Sequence, residues 1–116
     1  MIELVLPWPP SVNRYWRTFR GRMIISADGR AYRKAVADQV LIQRGAKNYQ
    51  TELKVVIEAW RPDRRKRDLD NLPKALLDSL THAGVWEDDA LIVDLRIYWA
   101  SEIGGMVKIQ IEEVTK

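Results

Sequence analysis

Ile2, Leu4 and Leu6 alternate with Glu3 and Val5, a period of two that predicts a first strand with one face buried. Pro7-Trp8-Pro9-Pro10 stops it, because proline donates nothing to a ladder and restricts the residue before it. That segment reads as an extended connector over the core, with a polyproline ligand for a partner domain as the alternative. Ser26 or Asp28 can cap a helix running from about Ala27 to Arg44 and ended by Gly45. Tyr32, Val36 and Val40 recur on it every four residues, as a core-facing stripe does. Leu53, Val55, Ile57 and Ala59 alternate with Lys54, Val56, Glu58 and Trp60 in a second strand that ends at Pro62. A third strand is expected from Ile92 to Trp99, with Val93, Leu95, Ile97 and Trp99 on one face. A fourth follows from Met106 to Val114, with Val107, Ile109 and Ile111 inward, and Gly104-Gly105 predicts an antiparallel hairpin between these last two.

Between the second and third strands a second helix must start close to Asp70. Pro73 is tolerated only in a first turn, where its missing N–H has no intrahelical acceptor. Taking Asp70 as N-cap makes Pro73 the third helical residue, lines Leu72, Leu76 and Leu80 along one stripe, and puts Gly84 just past the end. The sum is an α+β domain: a mixed or antiparallel sheet of about four main strands with two principal helices.

Length and composition narrow the class. The 116 residues make one domain, 1–116, that buries roughly 65% of its unfolded surface. Apolar residues at 47% and charged residues at 30% describe a globular protein in water. No apolar run is long enough for a membrane span, and Met1 leads straight into strand alternation, which argues against a signal peptide. The absence of cysteine excludes disulfides and thiolate metal sites and suits a reducing compartment, so a cytoplasmic location is expected. The one histidine, His82, falls in the last turn of the second helix, where a cation relieves the dipole. An imidazole-based or serine-triad mechanism has little to work with.

A net charge of +3 says little; its distribution says more. Arg61, Arg64, Arg65, Lys66 and Arg67 put five cations into seven positions, and Arg14, Arg17, Arg20 and Arg22 form a second cluster. The first cluster runs directly into Asp68 and Asp70, with Lys74 four residues further and Glu87-Asp88-Asp89 beyond. Cations attract a polyanion, whereas clustered carboxylates repel one unless a divalent metal sits between them. Both in one stretch point to a site that holds a phosphodiester against Mg²⁺. In an extended segment entering a helix, Asp68 and Asp70 point to the same side, about 7 Å apart at the backbone. Lys74, one turn on, can place its ammonium beside a metal-bound phosphate or water, and the acidic knot is the best source of one more oxygen ligand. Plainer readings stay open: Asp70 as a helix cap, with Asp68, Lys74 and the acidic knot as solvated charge. Asp78 and Asp94 read as surface charges. Ser11 to Arg17 mixes aromatics with arginines, either a surface for phosphates and bases or a loop whose aromatics plug the core.

Three blocks together carry a resemblance. Residues 64–74, 83–90 and 6–15 (RRKRDLDNLPK, AGVWEDDA and LPWPPSVNRY) resemble RusA-type Holliday junction resolvases, and the similarity extends over nearly the whole chain, including the helix start at 26–33. The resemblance implies a homodimeric, Mg²⁺-dependent endonuclease that resolves four-way DNA junctions by paired symmetric nicks in recombination and repair, with Mn²⁺ able to substitute and no organic cofactor. By position, the family's catalytic and metal-binding acids fall on Asp68, Asp70 and Asp89, with Asp88 as a neighbouring candidate, and its functional lysine falls on Lys74. Arg64, Arg65, Lys66 and Arg67 match its basic DNA-contacting stretch, and Asn13 and Arg14 its N-terminal motif. Pro73 and Glu87 depart from the family pattern. The competing class is a non-catalytic module that grips branched or single-stranded nucleic acid; a nearer rival is a nuclease of flaps or forks.

Overall fold

A computed structural model describes residues 1–114. The elements run β1 (Ile2–Pro7), α1 (Val12–Tyr15), β2 (Trp16–Phe19), β3 (Arg22–Ile25), α2 (Ala27–Ile42), β4 (Leu53–Trp60), α3 (Leu72–His82), β5 (Ile92–Trp99) and β6 (Met106–Glu113). Four strands form a mixed sheet in the order β1-β6-β4-β5, and β2 and β3 form a separate two-stranded sheet. The α+β expectation holds, with α2 and α3 as the principal helices and one short helix, α1, added before the small sheet.

The two-residue alternation places the core as expected on three strands. Leu4 and Leu6 on β1, Leu53, Val55, Ile57 and Ala59 on β4, and Val107, Ile109 and Ile111 on β6 are all buried. Val36 and Val40 from α2 and Leu72, Leu76 and Leu80 from α3 close over this face. Removing that much apolar surface from water is the main force holding the layers together.

The expected hairpin of the last two strands does not form. β5 pairs parallel to β4, while β6 pairs antiparallel to both β4 and β1. The reason is α3: a helix between two strands carries the chain back along the sheet, so the next strand lies parallel to the last. The Gly104-Gly105 turn instead crosses the end of β4, where the Gly104 amide donates to the Arg61 carbonyl at 2.9 Å and the Gly105 amide to the Trp60 carbonyl at 2.8 Å. A Cβ on Gly104 would meet Trp60 Cβ at 2.9 Å, so the crossing needs its bare backbone.

β5 is therefore an edge strand, and its burial follows. A register shift beside β4 makes Val93 the irregular residue, and Val93 is 54% and Leu95 42% exposed although Ile97 and Trp99 pack on the core.

Helix ends are set by local chemistry. Ser26 caps α2, its hydroxyl accepting from the Gly29 amide at 2.9 Å. The helix stops at Ile42, before the expected Arg44; Arg44 itself takes the left-handed conformation and Gly45 is instead buried against Leu4. α3 ends as expected on Gly84 (φ 83), with the Gly84 and Val85 amides donating back to the Thr81 and Leu80 carbonyls at 3.1 and 3.2 Å.

Gly29 sits where α2 crosses the end of α1. A Cβ there would collide with the Tyr15 carbonyl oxygen and lie 2.8 Å from an Ile25 methyl. Gly29→Ala is therefore expected to destabilise by about 1–3 kcal/mol and lower the thermal midpoint by several degrees. Thermal unfolding followed by circular dichroism checks this, and an unchanged midpoint would show that the contact relaxes freely.

Candidate active site

The loop after β4 is shaped by Asp63. Its carboxylate accepts from Arg67 Nη1 at 2.7 Å and from the Arg65 amide at 2.9 Å. The hydrogen bond from Arg67 is the largest cause holding the Asp63 carboxyl down at about 2. Arg67 also lies over the Trp8 ring at 5.8 Å, and its side chain is only 24% exposed. It is thus committed to the fold of the loop, while Arg64, Arg65 and Lys66 are exposed. Trp8 in turn stacks on Trp99 at 6.1 Å, and Arg61 lies over Trp99 at 5.3 Å. This ladder borders a groove of about 390 Å³ that also reaches Arg14, Asp68 and Asn71.

Leu69–Asn71 forms a 3₁₀ turn that leads into α3. The cap of α3 is consequently Asn71, and Pro73 is its second residue, one position earlier than expected. Asp70 is not the cap; it lies within the 3₁₀ turn, where backbone bonds already begin to close. Asp68, in extended conformation, caps that turn without a side-chain bond. The same-side argument for Asp68 and Asp70 required both to be extended, and the turn removes that premise. Asn71 Oδ1 accepts instead from the Val12 amide at 3.0 Å, which ties the turn to α1.

A second cleft, about 280 Å³, lies around the side of α3 and is walled by Trp16, Lys74, Asp78, Asp89 and Leu95. Asp88 caps the 3₁₀ turn Asp89–Leu91, accepting from the Ala90 amide at 2.9 Å. Partial desolvation, then the Asp88 carboxylate beside it, then Asp78 hold the Asp89 carboxyl above the usual range.

Asp78 is the residue the sequence misjudged. It is no surface charge: it accepts from Tyr15 Oη in a short hydrogen bond, and from Arg33 Nη2 at 2.7 Å and Nε at 3.1 Å. Tyr15 is fully buried, and its phenol is pushed up by burial and by this carboxylate, so it stays protonated and donating. No short-range signal could reveal this, since Arg33 lies 45 residues away in the chain. Asp94 does read as expected, a part-exposed charge on β5 whose carboxylate lies 3.5 Å from Arg96.

The structure therefore brings Lys74 and Asp89 into one cleft, with Asp88 as the immediate neighbour of Asp89, and puts Asp68 in the aromatic groove with Arg14 and Arg67. Asp70 lines neither. Among the described residues no three carboxylate or imidazole groups converge on one point. The donors are nonetheless all carboxylate oxygens, two of them crowded at Asp88 and Asp89, which suits a hard divalent cation. Mg²⁺ is commonly held by one or two carboxylates with waters and substrate phosphates completing its shell.

The family model for endodeoxyribonuclease RusA matches residues 7–112. That span holds every element from the end of β1 into β6, and both grooves. The chain belongs to the RusA endodeoxyribonuclease family. It is 46% identical over 113 residues to the crossover junction endodeoxyribonuclease RusA of Escherichia coli, covering 97% of this chain and 94% of the relative. The protein of the same name from Enterobacteria phage 82 is 47% identical over the same shares, and that from Shigella sonnei 46%.

Within this RusA-family chain the Asp78 node is the part most open to a stability test. Asp78→Ala leaves Arg33 and the Tyr15 phenol without their shared acceptor and should cost about 1–3 kcal/mol in urea unfolding. A surface aspartate would give less than about 0.5 kcal/mol, and that result would return Asp78 to the solvated role.

Proposed function

We propose that this chain is a Mg²⁺-dependent, structure-specific DNA endonuclease that resolves four-way junctions by paired symmetric nicks in recombination and repair. The observation that carries the reading is membership of the RusA family, with 46% identity to a crossover junction endodeoxyribonuclease over 97% of the chain. The relatives are named crossover junction endodeoxyribonucleases, and Asp68, Asp70, Lys74 and Asp89, the residues the sequence resemblance singles out, are all exposed here.

Asp68, Asp70 and Asp89 are the oxygen donors this reading assigns to the metal, with Asp88 beside Asp89; among the described residues they do not meet at one point, so they would have to close together on the ion. When bound, Mg²⁺ would supply Lewis-acid charge for phosphodiester hydrolysis, and Mn²⁺ would accept the same oxygen donors. Lys74 places an ammonium where charge builds on the phosphate and stabilises it as it develops. Arg64, Arg65 and Lys66 meet the backbone of the DNA, Arg67 holds their loop in place, and Asn13 and Arg14 approach from the α1 side. No organic cofactor is required for this chemistry.

Two cuts in opposed strands call for two sites, and a homodimer provides them by symmetry. The edge strand β5, with Val93 at 54% and Tyr98 at 47% exposed, supports a second copy docking along this edge. Among the described residues no helix is long and apolar enough to cross a membrane. With a DNA substrate and no cysteine, the cytoplasm is the proposed location.

The test is cleavage of a labelled four-way junction with Mg²⁺ and with EDTA, beside a linear duplex. Paired nicks in the junction only with Mg²⁺ support the reading, and tight binding without cuts in any divalent metal replaces it with the binding module. Flap and fork substrates in the same series separate the nearer rival. Asp70→Asn is expected to abolish cleavage, to keep junction binding, and to leave the metal-free protein as stable or more so. Wild-type cleavage by that variant would remove Asp70 from the ligand set.

A further inference from the structure

The β2–β3 hairpin stands apart from the four-stranded sheet. Its turn, Arg20-Gly21, has φ values of 50 and 74, the doubly left-handed turn whose twist suits a tight hairpin. Cross-strand partners share a face, so Trp16, Thr18, Met23 and Ile25 lie on one side and Arg17, Phe19, Arg22 and Ile24 on the other. The first side roots the arm, because Trp16 and Ile25 pack on the core. The second side is open. Phe19 is 48% exposed, and the guanidinium groups of Arg17 and Arg20 lie over its ring at 5.4 and 5.3 Å.

Residues 16–25 contain no acid, and among the described residues Arg17, Arg20 and Arg22 form no ion pair. Arg14, next along, is by contrast paired with Asp28 at 3.2 Å. Three like charges gathered on one short face raise its energy unless an anion lies across them. Trp16, at the root of the arm, also walls the cleft of Lys74 and Asp89, so the arm stands immediately beside that cleft.

We propose that the β2–β3 hairpin is a DNA-gripping arm, in which Arg17, Arg20 and Arg22 take the backbone phosphates of the duplex leaving the cleft. Phe19 is a positioning residue. Its ring holds two long guanidinium side chains in place before binding, so less rotamer freedom is lost when phosphates arrive. The proposal rests on the nuclease reading for the path of the strand, yet its charge effect is measurable on any duplex.

The test titrates the protein in EDTA with a labelled linear duplex and a labelled four-way junction over a series of salt concentrations. Arg17→Gln/Arg20→Gln/Arg22→Gln should flatten the slope of log affinity against log salt by about 2.7 for three phosphates, and Arg22→Gln alone by about 0.9. Phe19→Ala should weaken binding about 3- to 10-fold with the slope unchanged, and Phe19→Tyr should restore it. Thermal midpoints near wild type are expected for all, because these side chains lie outside the core. A wild-type slope in the triple variant overturns the arm. Unchanged affinity in Phe19→Ala overturns its positioning role. A wild-type protein that cuts no junction sinks the nuclease reading alone, since the slopes on linear duplex still decide the arm.

Discussion

One carboxylate ties together the parts of the chain that surround the cleft. Asp78 on α3 receives the Tyr15 phenol from the end of α1 and the Arg33 guanidinium from α2. A half-buried charge left alone would be costly; here both its neighbours donate, and Arg33 also donates to Tyr15 at 2.9 Å. Because Tyr15 is followed at once by Trp16, the same node fixes where the hairpin leaves the body. Ser26 adds a second tie, its hydroxyl donating to the Tyr15 carbonyl at 2.9 Å while it caps α2. Cleft wall, hairpin root and helix start are thus one unit, and small errors at Asp78 propagate to all three.

The arginines divide into two kinds. Arg33 and Arg67 are spent on holding structure, each paired at 2.7 Å with a carboxylate and mostly covered. Arg17, Arg20, Arg22 and Arg64 are exposed and, among the described residues, form no ion pair, so their charge is available to an anion. Composition alone cannot separate the two groups, because the distinction lies in which carboxylate the fold brings close. Asp63 illustrates this: it sits inside the basic run yet organises the run.

Much of the fold was legible because burial on β1, β4 and β6 has a period of two and on α2 and α3 a period near four. The Gly84 stop and the Ser26 cap were legible for the same reason, since both depend on residues within one turn. The strand order was not. Gly104-Gly105 looks like a hairpin turn locally, and only the α3 crossover decides that β5 runs beside β4. The start of α3 slipped by one residue because a 3₁₀ turn has no distinctive pattern. As for the site, residue types and spacing flagged Asp68, Asp70, Lys74 and the acidic knot 87–89, and only the family resemblance singled out Asp89; spacing could not show that Asp68 lies in one groove, Lys74 and Asp89 in another and Asp70 in neither. The Asp78 node was invisible, its partners lying 45 and 63 residues away.

The sheet order has a consequence for how the molecule comes into being. β6 follows every other element, yet it lies between β1 and β4 and pairs Ile2 with Ile111 and Leu53 with Glu113. A nascent chain stopped short of β6 holds β1 and β4 as unjoined edges with no shared ladder. Folding must wait for contacts that span almost the whole length, which makes it slow for a protein of this size. A ribosome therefore releases nothing with a formed cleft until synthesis has passed β6, and nicking in the 101–105 crossing would detach from the rest of the chain the strand that joins β1 to β4.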